Sequence, residues 1–93
     1  MFVGVLQVEL ALHKARSLKE KRHTIRSVLD RVRSSFNVSA AEVGRLDSWQ
    51  SAVLGFAAVS NDADHVRGLL QRLLNHLRSH PVARIVDSSL EVL

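Results

Sequence analysis

The sequence predicts an α+β sandwich in which four strands and two helices follow one another as strand, helix, strand, strand, helix, strand. Two observations support this prediction. Two segments carry apolar residues at helical spacing, and the segments around them alternate in polarity or form short apolar runs between turn residues. The 93 residues are enough for one core, so we treat 1–93 as a single domain. The absence of cysteine excludes disulfides and thiolate metal sites.

Residues 2–12 are predicted to form the first strand because their side chains alternate between two faces. One face is apolar and consists of Phe2, Gly4, Leu6, Val8, Leu10 and Leu12. The other face begins with Val3 and Val5 and ends with Gln7 and Glu9. This segment is too short to cross a bilayer, and no basic region precedes it. We therefore expect a cytoplasmic protein with no membrane partner.

The first helix is predicted to run from about residue 17 to about residue 35. Ser17 and Glu20 have the spacing of a capping box, in which each side chain satisfies a free backbone N–H at the helix start. Apolar residues then recur at helical spacing. They are Leu18, Ile25, Val28, Leu29, Val32 and Phe36. Asn37 is a plausible exit.

The second half of the chain repeats this pattern. Val38 to Val43 and Ser51 to Ser60 are predicted strands, joined by a hairpin loop over 44–50. Asn61 or Asp62 caps the second helix, Pro81 ends it, and the last strand covers 82–93. The second helix carries one apolar stripe, formed by Val66, Leu69, Leu70, Leu73, Leu74 and Leu77. Two such helices cover one face of a four-stranded antiparallel sheet, which is the ferredoxin-like arrangement.

The charge distribution points to an anionic partner. The net charge is only +4, but eight of the thirteen Lys and Arg residues lie between Lys14 and Arg33. On a helical wheel of about 100° per residue, four cations gather beside the apolar arc, and two more precede the helix. The predicted nucleic-acid-binding residues are Lys14, Arg16, Lys19, Arg22, Arg26 and Arg33. The alternative is an ordinary solvated helix face with ion pairs to Glu20 and Asp30.

If nucleic acid binds, the composition restricts how it does so. The chain has four aromatic residues and no segment like the aromatic-rich strands on which RNA-recognition motifs stack bases. The remaining possibility is contact through the helix, in which positive charge and the shape of the RNA determine binding. The first functional hypothesis is therefore a module that binds structured RNA or a ribosomal subunit.

A second hypothesis is a protein-interaction or self-associating module without a nucleic-acid ligand. Two helices leave one sheet face open, and Val3 and Val5 would make part of it apolar. Trp49, in the hairpin loop, is either an interface or stacking residue or a ring folded onto the core edge. We expect a homodimer or higher oligomer, joined through the sheet surface or a strand edge. Alternatively, nearby polar residues keep the open face hydrated, namely Gln7, Glu9, Glu42 and Asp87.

Enzymatic chemistry has the least support. His76 and His80 have the i, i+4 spacing used by zinc sites, but no third ligand accompanies them, so we expect no metal and no other cofactor. No spacing pairs a nucleophile with a base. An acylphosphatase-like enzyme is the third choice, because the loop over 13–17 contains Arg16 but lacks the glycines of that motif.

Several segments, in order and with natural spacing, resemble the YlxP-like family of small bacterial proteins. They are Arg16-Ser17-Leu18-Lys19-Glu20-Lys21-Arg22, Phe36-Asn37-Val38-Ser39, Ala41-Glu42-Val43-Gly44, Asp47, Trp49-Gln50, Leu54-Gly55 and Val59-Ser60-Asn61-Asp62. The resemblance implies a ferredoxin-like fold. The family's genes often lie near those for translation initiation factor two and ribosome-binding factor A, which implies, by association, a role in ribosome maturation or translation. The resemblance supplies no catalytic residues.

Overall fold

The computed structural model describes residues 1–93 and contains all six predicted elements in the predicted order. The elements are β1 (Phe2–Ala11), α1 (Leu18–Ser35), β2 (Ser39–Gly44), β3 (Ser51–Ser60), α2 (Ala63–Arg78) and β4 (Arg84–Val92). The strands form one antiparallel sheet in the order β2-β3-β1-β4, with both helices on one face. The predicted ferredoxin-like fold is confirmed. Neither helix is both long enough and apolar enough to cross a membrane.

The register of the sheet gathers three connections at one end. Ala11, the last residue of β1, lies opposite Ser51 of β3 and Arg84 of β4. The connections over 12–17, 45–50 and 79–83 therefore meet there. We call this the loop end of the sheet. It carries the start of α1 and the hairpin loop, so it brings together residues that are far apart in sequence.

The core lies between the sheet and the helices. The predicted inner face of β1 is buried from Gly4 to Leu12, and only Phe2 at its start is exposed. Within β3, Leu54, Phe56 and Ala58 point toward the helices and are buried, so the other side of that strand faces solvent. Val66 and Leu70 of α2 lie so close above Gly4 that any side chain there would collide with them. Gly4 therefore permits the close approach of α2 to β1.

The helix starts differ in detail from the predicted capping box. Ser17 Oγ accepts the N–H of Glu20 at 3.1 Å, as expected. The Glu20 carboxylate, however, accepts the N–H of Arg16 at 2.6 Å instead of that of Ser17. Both side chains still satisfy free backbone donors, and the second bond fixes the residue before the cap. At α2 the cap is Asp62, which accepts the N–H groups of Asp64 and His65.

The predicted bounds of β1, β2 and β4 differ from the observed ones by one or two residues. The last strand begins at Arg84, not at Val82, because the His80 imidazole Nδ1 accepts the N–H groups of Val82 and Ala83, each at 3.2 Å. These bonds hold the two residues in a turn, away from the β-ladder. The second strand covers Ser39–Gly44, one residue later than predicted.

Candidate nucleic-acid interface

The first helix lies above the β2 edge of the sheet. Its buried residues Ile25, Val28 and Val32 pack inward, which turns one polar flank of the helix outward along that edge. Arg33 marks the contact, because its guanidinium donates to the carbonyl of Ala40 in β2 at 2.6 Å. The flank is therefore fixed to the sheet at its C-terminal end.

The six predicted nucleic-acid-binding residues, which we call the basic flank, are all exposed. They are Lys14, Arg16, Lys19, Arg22, Arg26 and Arg33. The side chains of the first five make no ion pair and no hydrogen bond within the protein. Arg33 is the exception, since it also lies 3.6 Å from Asp30. Of the ion pairs expected for an ordinary solvated helix face, only the one between Arg33 and Asp30 is present, and the binding role of the six residues stays a prediction.

The basic flank has a regular geometry. Lys19 and Arg33 are fourteen residues apart, which corresponds to about 21 Å along a helix that rises about 1.5 Å per residue. Lys14 and Arg16 continue the flank into the loop end of the sheet. The helix therefore sets the spacing of the Cα atoms that carry these charges.

The hairpin loop places Trp49 at the same end of the molecule. Gln50 links this loop to the start of α1, because its side-chain amide donates to the carbonyls of His13 and Ala15 at 3.2 and 3.3 Å. Its own carbonyl accepts the N–H of Leu12 at 2.9 Å. Trp49 itself is 53% exposed. About half of this residue is therefore accessible to a partner, and its role as an interface or stacking residue stays a prediction.

A buried cation in α1 was missed by the sequence analysis. Lys21 is 0% exposed, and its ammonium lies 2.6 Å from Glu42 Oε2 of β2. It also donates to the carbonyl of Arg45 at 2.9 Å. The expectation that Glu42 borders the open sheet face was wrong, because in β2 it lies opposite the inward-facing Leu54 and points under α1.

The ion pair fixes the first residue of the hairpin loop. Arg45 has a left-handed backbone (φ 54°), which costs roughly 1 kcal/mol for a residue with a side chain. Its carbonyl accepts from both Lys21 Nζ and the N–H of Ser48, which stabilises that conformation. A sequence signal for Lys21 existed: it lies four residues before Ile25 and seven before Val28, inside the apolar stripe.

The two histidines with zinc-like spacing have other contacts. The His76 ring packs edge-on against Phe36, with ring centroids 5.6 Å apart. His80 lies beyond Arg78, the last residue of α2, so the two histidines do not share the helix. Partial burial, with the nearby charges of Arg31 and His76, lowers the pKa of His80 from its ordinary value of 6.5. A neutral imidazole suits its role as acceptor in the 80–83 turn.

The predicted interface residues do not form one patch. Val3 and Val5 lie on the open sheet face, beside Ala57 and Val59 of β3. Trp49 lies at the loop end, and Val5 is six residues from that end of β1, or about 20 Å along a strand. Val43 and Val59 are 54% and 65% exposed, so the open face is partly apolar. A shallow depression of 380 Å³ lies around Gly55 on this face.

Comparison with known proteins places the chain in a family. A family described as "Protein of unknown function (DUF503)" matches residues 3–90. The chain belongs to this family. It is also similar to an uncharacterized protein, YlxP of Bacillus subtilis (strain 168), with 40% identity over 79 residues that cover 85% of this chain and 86% of that protein. The resemblance inferred from the sequence is thus confirmed. The matched region contains the whole basic flank and the hairpin loop, so the candidate site lies within the domain that the family shares.

Proposed function

We propose that this protein is a non-catalytic module of the bacterial cytoplasm that binds structured RNA, on its own or within a ribosomal subunit, through the basic flank. The observation that carries the proposal is that five exposed cations without an intramolecular partner lie together on the basic flank. Cations that stabilise a fold are normally paired within it, as Lys21 is. Free cations gathered on one rigid surface attract phosphates and release their counterions on binding.

The shape of the surface favours backbone contact over reading of base pairs. The deep major groove of A-form RNA is too narrow for side chains to read, whereas its phosphates are accessible. Arg22 and Arg26 are one helical turn apart and can approach successive phosphates, and each guanidinium offers a planar pair of donors. We therefore expect affinity that depends on charge and RNA shape.

Trp49 adds a second kind of contact near the same cations. Its exposed ring stands on the loop that Gln50 joins to the segment containing Lys14 and Arg16. Aromatic rings beside cations stack unpaired bases, and such stacking tolerates any base. A partner that combines a helical stem with an unpaired loop fits both features.

Cosedimentation with purified ribosomal subunits and with structured RNA tests the proposal. The double variant Arg22→Glu/Arg26→Glu should abolish binding, because it reverses two adjacent phosphate contacts. The matched control is Arg67→Glu/Arg72→Glu on α2, which makes the same change in net charge at exposed positions away from the flank. Equal loss in both double variants, or binding that survives in the first, would contradict the proposal.

The open sheet face supports a second candidate function. We infer that two copies associate through the β2–β3 half of this face, where the exposed Val43 and Val59 lie. The carboxylates of Glu91 and Asp87 lie on the β4 half. A two-fold axis near β3 would bury the apolar half and leave these like charges apart at the rim.

A standard interface buries about 800 Å² per partner, roughly a seventh of the 5748 Å² surface of this chain. Sedimentation at several concentrations tests the inference: Val43→Asp should give a monomer, and Arg22→Glu should leave the dimer intact. A wild-type protein that stays monomeric at the highest concentration would refute it.

A further inference from the structure

A groove crosses the start of α1 on the side away from β2. It has a volume of 420 Å³ and is bounded by the 12–15 segment, the first two turns of α1 and Val82 of the 80–83 turn. That volume lies at the small end of the range of about 300–1,000 Å³ for ligand pockets. Lys14 and Lys19, which also belong to the basic flank, line the groove. A chain lying along the flank would therefore pass its entrance.

The walls of the groove combine an apolar floor with a cationic rim. Leu12 and Ala15 are buried and form the floor together with Val82. The ammonium groups of Lys14 and Lys19 are at the rim and have no partner within the protein. The imidazole of His23 also lines the groove. A flat apolar group with an attached anion fits these walls.

We propose that the groove binds one unstacked nucleotide of the RNA that lies on the basic flank. This inference rests on the proposed RNA-binding function and specifies what the RNA must offer. The base would lie on Val82 and against the His23 ring, and its phosphate would contact Lys14 and Lys19. RNA-binding proteins commonly read splayed-out bases of loops and bulges in this way, stacking them on aromatic side chains that include histidine.

The polar groups of the groove favour a base that donates hydrogen bonds. Glu20 lines the groove, and only its Oε2 is engaged, by the N–H of Arg16. Its other carboxylate oxygen has no hydrogen-bond partner in the protein. Guanine presents two adjacent donors on its Watson–Crick edge, whereas adenine presents one donor beside an acceptor that a carboxylate repels. The groove should therefore prefer guanine to adenine.

Binding of four RNA hairpins to the full-length protein tests the proposal. The hairpins share one stem and carry no bulge, or a single bulged guanosine, adenosine or uridine. The bulged guanosine should bind about tenfold more tightly than the fully paired stem, a gain in the range measured for one stacked base. Val82→Asp, at an exposed position, and His23→Ala should each remove this gain and leave the affinity for the paired stem unchanged.

The following outcomes distinguish binding in the groove from binding on the basic flank. The milder double variant Arg22→Ala/Arg26→Ala should lower the affinity for all four hairpins by the same factor. Equal wild-type affinity for the four hairpins, or a guanosine preference that survives both Val82→Asp and His23→Ala, would overturn the groove proposal while leaving the basic flank intact. Failure of every hairpin to bind would instead overturn the proposed function, and the groove proposal with it.

Discussion

The two sides of α1 use cations in opposite ways. Lys21 is wholly buried and paired with Glu42, whereas the next residue, Arg22, is exposed and has no partner. The inner cation holds the helix to β2 and orients the hairpin loop through the carbonyl of Arg45. Apart from Arg33, the cations of the basic flank make no hydrogen bond or ion pair within the protein. Neighbouring charges in one sequence cluster thus divide into a structural set and a set available to a partner.

This comparison predicts that changes on the two sides of α1 will affect different measurements. Substitutions on the inner side should change the free energy of unfolding, and substitutions on the basic flank should change the affinity for RNA. The predictions below begin with the largest expected effect.

Lys21→Ala should produce the largest loss of stability. It leaves the Glu42 carboxylate, whose side chain is only 15% exposed, without its counter-charge. Removing one partner of a buried pair costs about 3–5 kcal/mol, and we expect the lower end of that range because Glu42 is not fully enclosed. Chemical denaturation followed by circular dichroism measures the change.

Two variants control this experiment. Lys19→Ala, on the exposed flank, should change the unfolding free energy by less than about 0.5 kcal/mol. The double variant Lys21→Met/Glu42→Leu replaces the pair by apolar side chains and should recover stability to within about 1 kcal/mol of the wild type. A stability of Lys21→Ala equal to that of the wild type would show that the pair does not hold α1 to β2.

Trp49→Ala should weaken RNA binding with little effect on folding. Loss of a stacked base costs about 1–3 kcal/mol of binding free energy, whereas an exposed ring contributes little to the core. Fluorescence anisotropy with a stem-loop RNA measures the affinity. The matched control is Leu46→Ala, which truncates another exposed apolar residue in the same loop. Equal affinity in wild type and Trp49→Ala would remove Trp49 from the interface.

Arg33→Ala should have a smaller effect on stability. It removes the exposed hydrogen bond to the Ala40 carbonyl and the weak ion pair with Asp30. We expect a loss of about 0.5–1 kcal/mol, since solvent competes for both contacts. Arg26→Ala, which breaks no contact within the protein, serves as the control in the same thermal unfolding experiment. A larger loss for Arg26→Ala than for Arg33→Ala would reverse the assignment of their roles.

His80 should give a small dependence of stability on pH. Its pKa in the folded protein lies below 6.5 because of burial, Arg31 of α1 and His76 of α2. Between the lowered pKa of His80 in the folded protein and its ordinary pKa in the unfolded chain, the unfolded chain binds more protons. The free energy of unfolding therefore falls as the pH drops from about 6.5 through the lowered pKa. His80→Asn keeps an acceptor for the turn and should flatten this part of the profile. The exposed His65→Asn should leave it unchanged, and an unaltered profile in His80→Asn would contradict the prediction.

The fold was predictable because each element carries its own signal. Alternating polarity marked β1, Ser17 and Asp62 marked the starts of the two helices, and Pro81 marked the end of α2. The details that were predicted wrongly depend on contacts between distant residues or across a turn. The start of β4 is set by the His80 ring, and the Arg16–Glu20 bond depends on the conformation of the loop before α1. Neither follows from local propensity.

The candidate site was predictable only in part. Helical spacing placed Lys19, Arg22 and Arg26 together, and the structure leaves them exposed. The same spacing placed Lys21 among apolar residues, but no sequence rule identifies Glu42, twenty-one residues later, as its partner. Pairing across the space between a helix and a strand requires the fold. For the same reason, the groove at Val82 and the exposure of Trp49 could be found only in three dimensions.

The salt dependence of RNA binding tests the central claim most directly. The logarithm of the association constant for a structured RNA should fall linearly with the logarithm of the salt concentration. Each phosphate contact contributes a slope of about 0.7–0.9. The wild-type slope should correspond to several contacts, and Arg22→Ala/Arg26→Ala should reduce it by about two contacts, whereas Arg67→Ala/Arg72→Ala should leave it unchanged. A slope that is the same in all three proteins would show that the free cations of α1 do not contact phosphates.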